Sequence, residues 1–366
     1  MINPFNPSFG KRPSHFLGRE EITRSIISTV DDENSPWRTT LITGVRGSGK
    51  TALLSDIRIN LNNLDAVAIY VVPNEALLDN VLVQLYRQLP NTLSNTLPEL
   101  KSLSVSLGVT VGFEKKKKAP QFTETFSYQF FELIDIYMKQ DKHILFLVDE
   151  AQKHTSDMQV FITAYQDLVM REYSVSMVMA GLPSVISDLL NDDVLTFMRR
   201  AKQVELENVE LAIVVYEFNK VFTSAEYAIP EEIVSKAAVA TRGYPYLIQL
   251  VGYYLWDNMH SRNDADMLDD ALFKSKAELF RNVHKLIYSA LSARDREFLF
   301  AMSEDEDSSS VSDIGERMQK KKNFISLYRE RLISAGIIKP AGHGLLCFNY
   351  PYMREFLQGK KQEKSY

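Results

Sequence analysis

The apolar residues of the first 206 positions fall into short runs that alternate with stretches of helical spacing. The runs predict strands near residues 39–43, 67–72, 144–148, 175–180 and 203–206. The run ILFLV at 144–148 is continuous, which is typical of a parallel strand that is buried on both faces. Strands that alternate with helices predict a parallel sheet with helices on both sides. We therefore expect an α/β core over residues 1–206.

Beyond residue 206 the pattern changes twice. Residues 207–284 have helical spacing throughout and predict a small α-helical lid. The last 82 residues predict three helices, at 291–302, 311–318 and 320–336, followed by two strands around the turn AGHG. Three helices followed by a β-ribbon predict a winged helix, which we assign to residues 285–366.

One segment of the core departs from this alternation. Residues 103–121 place Val105, Leu107, Val109 and Val111 at every second position, with Gly108 and Gly112 among them. This pattern predicts a β-hairpin or an extended insertion. The lysines at 115–118 fit a solvated loop tip better than a contact with nucleic acid.

A glycine-rich segment joins the first predicted strand to the helix after it. Its sequence GVRGSGKT, residues 44–51, fits the phosphate-binding P-loop pattern in the strand–loop–helix context that this loop requires. Glycines let backbone N–H groups curl around phosphates, Lys50 would reach the β- and γ-phosphates, and the Thr51 hydroxyl would bind Mg²⁺. The expected nucleotide-binding positions are Gly44, Val45, Arg46, Gly47, Ser48, Gly49, Lys50, Thr51 and Ala52.

Two carboxylates follow the buried run ILFLV directly. They are Asp149 and Glu150, and they lie at the carboxyl end of a predicted central strand, where open α/β sheets bind ligands. Asp149 suits a partner of Mg²⁺, and Glu150 suits a base that polarises the attacking water. The alternative, a helix-capping pair, is weakened by the P-loop upstream.

These two motifs, together with HFLGREEI at 15–22, resemble those of AAA+ ATPases. The closest resemblance is to the group of origin-recognition initiators, their bacterial relatives and transposition-helper ATPases, and it spans residues 10 to about 255. It implies ATP and Mg²⁺ as ligands, a nucleotide-dependent homo-oligomer, and a base-binding site beside Phe16, Leu17 and Gly18.

Other positions depart from the family pattern. The fourth predicted strand ends in Ala180-Gly181, where relatives carry the polar sensor 1 residue, and Tyr246 stands where they carry the sensor 2 arginine. Arg199 corresponds to their arginine finger, and a solvated arginine at a helix end is an equal alternative. The resemblance thus implies slow or partner-dependent hydrolysis, with Lys50, Glu150 and Arg199 as catalytic residues.

The net charge of −5 conceals an asymmetry between the body and the C-terminal end. Residues 1–284 carry 28 basic and 36 acidic side chains, whereas residues 315–366 carry 11 basic and 4 acidic ones. A basic module on an acidic body indicates contact with a polyanion. The helix at 320–336 would read double-stranded DNA, and a protein partner is the alternative. The expected DNA-binding residues are Lys320, Lys321, Lys322, Asn323 and Arg329.

Composition excludes several classes of protein. Cys347 is the single cysteine, which excludes an internal disulfide framework and suits the cytoplasm. The six histidines show no metal-ligand spacing, and no apolar run reaches the length of a membrane span. We expect a cytoplasmic protein without a membrane contact.

The leading hypothesis is an ATP-dependent switch that couples nucleotide state to DNA, or to a DNA-bound assembly, through the winged helix. The alternative is a signalling NTPase of the STAND type, whose winged helix is a regulatory or protein-docking module. A small-molecule kinase is disfavoured, because such an enzyme needs neither the FLGRE segment nor a DNA-binding-like tail.

Overall fold

The computed structural model describes residues 2–8, 18–61, 64–74, 76–89, 126–151, 155–223, 229–259 and 264–363. The predicted insertion at 103–121 lies outside them. No helix of the described part is both long enough and apolar enough to cross a membrane. No group of three or more histidine, cysteine or acidic side chains in the same residues could hold a metal ion.

Five parallel strands form the central sheet, in the order β2-β3-β4-β1-β5. Their bounds are β1 Thr39–Thr43, β2 Ala66–Val71, β3 His143–Ala151, β4 Val175–Gly181 and β5 Lys202–Glu205. The parallel sheet predicted from the apolar runs is confirmed. In this order β1 and β3 flank β4, so the P-loop after β1 and the carboxylates in β3 meet at one edge of the sheet.

Helices cover both faces of the sheet. They are α1 Glu20–Ile27, α2 Lys50–Leu61, α3 Leu77–Arg87, α4 Phe126–Met138, α5 Ser156–Met170 and α6 Pro183–Leu190. Because side chains alternate along a strand, neighbouring positions feed opposite faces. Leu41 and Phe146 pack into the larger apolar cluster, whereas Ile42 and Leu147 pack on the other side of the sheet with Leu53 of α2.

The segment predicted as a lid, for which we keep that name, contains helices α7 Leu211–Thr223, α8 Glu231–Ala240, α9 Pro245–Asn258 and α10 Asp264–Leu279. A π-helical turn, Phe280–His284, joins α10 without a break to α11 Lys285–Ala290. Turns of this kind occur often at functional sites. This one leads from the lid into the C-terminal part of the chain.

The C-terminal part contains α12 Ala293–Met302, β6 Ser309–Ser310, α13 Val311–Met318, α14 Lys322–Ser334, β7 Ile338–Gly342, β8 Leu345–Phe348 and α15 Met353–Glu363. The three helices and the ribbon follow the predicted order. The pattern does not predict β6, which pairs with β8, or α15. One apolar cluster runs from the lid into this part and includes Leu247, Phe298 and Leu357.

Candidate nucleotide-binding site

The P-loop begins at Gly44, directly after β1, and ends where Lys50 starts α2. Gly47 and Gly49 have φ values of +77° and +93°, which residues other than glycine rarely adopt. A methyl group added at Gly44 would lie 2.4 Å from the Ser48 Oγ. The glycines therefore serve the tight curl of the loop.

The Lys50 ammonium group lies inside this loop. Its Nζ donates hydrogen bonds to the carbonyl oxygens of Gly44 at 2.7 Å and Val45 at 2.9 Å. Burial lowers the pKa of Lys50 from 10.5 to about 8, although the charges of Asp149 and Glu150 act in the opposite direction. A half-buried cation whose hydrogen bonds to described residues go to carbonyl oxygens gains from an anionic ligand.

The loop also contains a polar atom with no partner among the described residues. The Ser48 hydroxyl is buried and its Oγ makes no hydrogen bond. Buried polar groups of this kind are rare and call for a ligand or another explanation. Together with the N-terminus of α2, whose first residues Lys50, Thr51 and Ala52 line the adjoining cavity, it fits a phosphate group.

The two predicted carboxylates occupy different environments. Asp149 is buried, and its Oδ2 accepts a hydrogen bond of 2.5 Å from the Tyr70 hydroxyl on β2. Glu150 is exposed to the cavity and has a left-handed φ of +50°, beside a shift of register between Val148 and Ala151. Backbone strain at a non-glycine residue is typical of functional positions. Asp149 and Thr51 offer the oxygen ligands that Mg²⁺ prefers.

The backbone of Arg46 is held from two sides, in an arrangement that we call the Arg46 clamp. Its carbonyl oxygen accepts a hydrogen bond from the hydroxyl of Tyr244, at the start of lid helix α9. Its N–H donates 3.2 Å to the hydroxyl oxygen of Tyr350, which follows β8 in the C-terminal part. Burial raises the pKa of Tyr350 to about 12 and that of Tyr244 well above 10, so both hydroxyls stay protonated.

A second lid residue contacts the loop. The Tyr246 backbone N–H donates to the Gly47 carbonyl oxygen at 3.2 Å, and its hydroxyl accepts 2.9 Å from the Asn282 side chain in the π-helical turn. Tyr246 stands at the position of the missing sensor 2 arginine and lines the cavity, so this wall offers a neutral hydroxyl. Arg242 does not take over that position, because its guanidinium stacks 4.5 Å over the Tyr352 ring.

A cavity of about 1080 Å³ adjoins the loop and is large enough for a nucleotide. Its phosphate end is formed by residues 46–52 with Asp149 and Glu150. The cavity is also lined by Asn6, Pro7, Ser8, Arg19, Ile248, Gln249 and Tyr253. Gly18 lies close to the lining residue Val209, since a methyl group at Gly18 would be 3.8 Å from it; Phe16 and Leu17 lie outside the described residues.

The remaining predicted residues lie away from the cavity. Arg199 is exposed in the 3₁₀ turn Thr196–Arg200, and its Nε donates to the Leu190 carbonyl oxygen at 2.8 Å. Lys320, Lys321, Lys322 and Asn323 are exposed around the start of α14, and Arg329 is half-buried further along it. Tyr70, Tyr244 and Tyr350 carry no motif signal, and only the fold brings them to the site.

Comparison with solved structures shows the same fold in archaeal proteins. The Walker-type ATPase paby2304 of Pyrococcus abyssi has a TM-score of 0.66 at 14% identity, over 95% of this chain and 97% of that one. Cdc6p from Pyrobaculum aerophilum has a TM-score of 0.50 at 13% identity, over 98% of this chain and 97% of that one. The α/β P-loop fold of AAA+ ATPases predicted from the sequence is thereby confirmed.

Two family models match parts of the chain. Residues 38–180 match the family described as Schlafen group 3, DNA/RNA helicase domain. Residues 281–357 match a domain of unknown function (DUF8462), and this match begins inside the π-helical turn. No curated protein matches the chain in sequence.

Proposed function

We propose that this protein is an AAA+ switch that binds and hydrolyses ATP, and that it passes its nucleotide state to DNA or to a DNA-bound assembly through its C-terminal part. The observation that carries the proposal is the Arg46 clamp. It connects the Arg46 backbone in the P-loop to the lid through Tyr244 and to the C-terminal part through Tyr350. A phosphate chain that reorganises the loop would act on both connections.

In this proposal the P-loop holds the phosphates with its backbone N–H groups, the Lys50 ammonium and the Ser48 hydroxyl. Thr51 and Asp149 would hold Mg²⁺, which neutralises phosphate charge when it is bound. Tyr70 keeps the Asp149 carboxylate in one orientation. Glu150 faces the cavity, and its backbone N–H donates to Asp149 Oδ1 at 2.9 Å. Within the part of the chain that the structure describes, no hydrogen bond engages its carboxylate, which can therefore take a proton from water.

We expect turnover to be slow in the isolated protein. Neither Gly181 nor Leu182, at the end of β4, offers a polar side chain to the cavity that it lines, and Tyr246 is uncharged.

Arg199 is exposed, as a residue directed at a second subunit of a homo-oligomer would be. Its change to alanine should leave ATP binding intact and lower turnover only under conditions where subunits assemble. If Arg199→Ala hydrolyses ATP at the wild-type rate in the assembled state, this role is contradicted.

The DNA-binding part of the proposal rests on the N-terminal end of α14. Lys320, Lys321 and Lys322 are exposed and pair with no carboxylate of the residues that the structure describes, whereas Arg331 further along bonds the buried Asp295 at 3.2 Å. The wing residue Lys339 on β7 is also exposed. Unpaired lysines suit phosphate contacts, and the three helices with their ribbon suit a winged helix on duplex DNA.

A salt titration on duplex DNA tests this reading. Binding should weaken with salt, and each lost phosphate contact should reduce the log–log slope by about 0.9. Lys321→Ala should weaken binding to all sequences alike, whereas Asn323→Ala should relax any sequence preference. Lys139→Ala, which removes an exposed lysine directly after α4 of the core, serves as the control. Negligible binding at low salt, with and without ATP, would contradict DNA as the partner.

A second candidate function is a STAND-type signalling NTPase, and a specific contact favours it. A methyl group added at Gly336, after α14, would lie 3.3 Å from the Val45 side chain and 3.6 Å from Pro183. The C-terminal part therefore packs on the nucleotide site directly, as an inhibitory module would. In this case the purified protein should retain ADP, and Gly336→Trp, which separates the two surfaces, should release it. Leu327, which is 63% exposed on α14, would then contact a protein.

A further inference from the structure

The first described residues of the chain run along lid helix α9, and we call residues 2–8 the N-terminal strap. The Asn3 side-chain amide donates to the Tyr253 carbonyl oxygen at 3.1 Å and to the Asp257 carboxylate at 3.0 Å. The Asn6 backbone N–H donates to the Gln249 Oε1 at 2.9 Å. Positions 249, 253 and 257 are four residues apart and lie on one face of the helix, so the strap follows that face.

Phe5 fixes the strap in place. Its side chain is 3% exposed and packs in the lid core against Phe218 and Phe222, with ring centroids 5.3 and 5.7 Å away. The ring lies directly on the backbone of α9 at Gly252. A methyl group added to Gly252 would be 2.3 Å from the Phe5 ring, closer than any real contact. The absence of a side chain at Gly252 thus provides the space in which the Phe5 ring packs on α9.

The strap leads from this anchor to the cavity that adjoins the P-loop. Asn6, Pro7 and Ser8 line the cavity together with Ile248 and Gln249 of α9. Asn6 Oδ1 accepts the Ser8 N–H at 3.0 Å, and Gln249 Oε1 is engaged by the strap. The groups that these two side chains can still offer to a ligand are therefore their amide N–H donors.

We propose that the N-terminal strap and Gln249 form the base-binding end of the nucleotide site, and that the Phe5 anchor sets the affinity for the base but not for the phosphates. The inference rests on the proposed ATP binding and names the part of the site that selects the ligand. These amide donors suit the ring nitrogen acceptors of adenine. The Ile248 side chain supplies the apolar contact for the face of the ring.

The test separates the base from the phosphates by using two ligands, ATP and inorganic tripolyphosphate, in calorimetry with Mg²⁺ on the full chain. Gly252→Ala should expel the Phe5 ring without weakening the helix, because alanine has the higher helix propensity. We expect ATP affinity to fall about tenfold or more, equivalent to one or two lost hydrogen bonds. Tripolyphosphate affinity should stay at the wild-type value.

A double-mutant cycle tests whether the packing of Phe5 on Gly252 itself determines the affinity for ATP. Phe5→Ala should weaken ATP binding as Gly252→Ala does, and the double variant should be no worse than Phe5→Ala, because the added methyl group then meets no ring. Asn3→Ala loosens the strap without a cavity in the lid core and should give a smaller loss of the same kind. Phe273→Ala, which removes a 74% exposed aromatic ring from α10, is the matched control and should change nothing.

The outcomes separate this inference from the proposed function. Wild-type affinity for ATP in both Gly252→Ala and Phe5→Ala would overturn the base-site inference while ATP binding stands. Parallel losses for ATP and tripolyphosphate would also overturn it, since the anchor would then act on the whole lid. A wild-type protein that binds tripolyphosphate as tightly as ATP would leave no base site to assign. A wild-type protein that binds neither ligand would overturn the proposed function and this inference together.

Discussion

The two ends of the cavity are built in different ways. The phosphate end comes from consecutive residues of one loop, 44–52, with two carboxylates at the end of the neighbouring strand. The base end and the Arg46 clamp join residues far apart in the chain: 304 positions separate Arg46 from Tyr350, and 243 separate Asn6 from Gln249. The local end provides the chemistry, and the long-range contacts connect that chemistry to the lid and the C-terminal part.

The largest expected effect separates chemistry from binding at the phosphate end. Glu150→Gln keeps the shape of the side chain and removes its basicity, so hydrolysis should fall about 10²–10⁴-fold while ATP still binds. A radiolabelled-phosphate assay measures the rate, and calorimetry measures the affinity. Glu172→Gln is a matched control, because Glu172 also has a positive φ, of +61°, and is exposed away from the cavity. Wild-type turnover in Glu150→Gln would place the base elsewhere.

Lys50→Ala tests the phosphate end itself. It removes the cation that the motif places at the β- and γ-phosphates, and charge-assisted hydrogen bonds contribute about 1.5–3 kcal/mol each. ATP affinity should fall by about two orders of magnitude, and tripolyphosphate affinity should fall equally, in contrast to the strap variants. Thr51→Ala should weaken only the Mg²⁺-dependent part. ATP binding as tight as in the wild type would refute the P-loop assignment.

The pH dependence of ATP binding should report the titration of the Lys50 amine. The pKa of Lys50 in the free protein is about 8, and bound phosphates would raise it, so binding takes up a proton above pH 8. ATP affinity should therefore fall as pH rises from 7.5 to 9, by up to about tenfold per pH unit. Lys50→Arg stays charged over this range and should show a flat profile. An equally flat wild-type profile would contradict the burial of this amine.

The smallest expected effect concerns the clamp. Tyr350→Phe removes the acceptor of the Arg46 N–H and should lower the free energy of unfolding by about 1 kcal/mol, measured with urea. Tyr352→Phe is the matched control, since the Tyr352 hydroxyl donates to the Ala240 carbonyl oxygen at 2.7 Å and so connects the C-terminal part to the lid instead of the P-loop. Both variants should lose similar stability, and only Tyr350→Phe should alter the response to nucleotide. Identical behaviour of the two would make the clamp a structural contact alone.

The sequence predicts those parts of the site that consist of short, contiguous motifs. Apolar runs predict the sheet, and GVRGSGKT and Asp149-Glu150 predict the phosphate end, because strand order brings these short motifs together. Phe5, Gly252 and Tyr350 carry no such signal. A buried phenylalanine, a helical glycine and a tyrosine after a strand are each ordinary until the fold places them against α9 and the P-loop. Resemblance assigns the base to Phe16–Gly18, of which Phe16 and Leu17 lie outside the described residues, whereas the strap is among the described residues that line the cavity.

Hydrogen exchange tests the central claim, that the P-loop and the C-terminal part are connected through Arg46, without assuming any partner. Amide exchange over residues 337–350 is measured with and without a non-hydrolysable ATP analogue, in the wild type, Tyr350→Phe and Tyr352→Phe. The account predicts that the analogue changes exchange there in the wild type and in Tyr352→Phe, and that Tyr350→Phe loses this change. Exchange that the analogue leaves unaltered in the wild type, or alters equally in Tyr350→Phe, would contradict it.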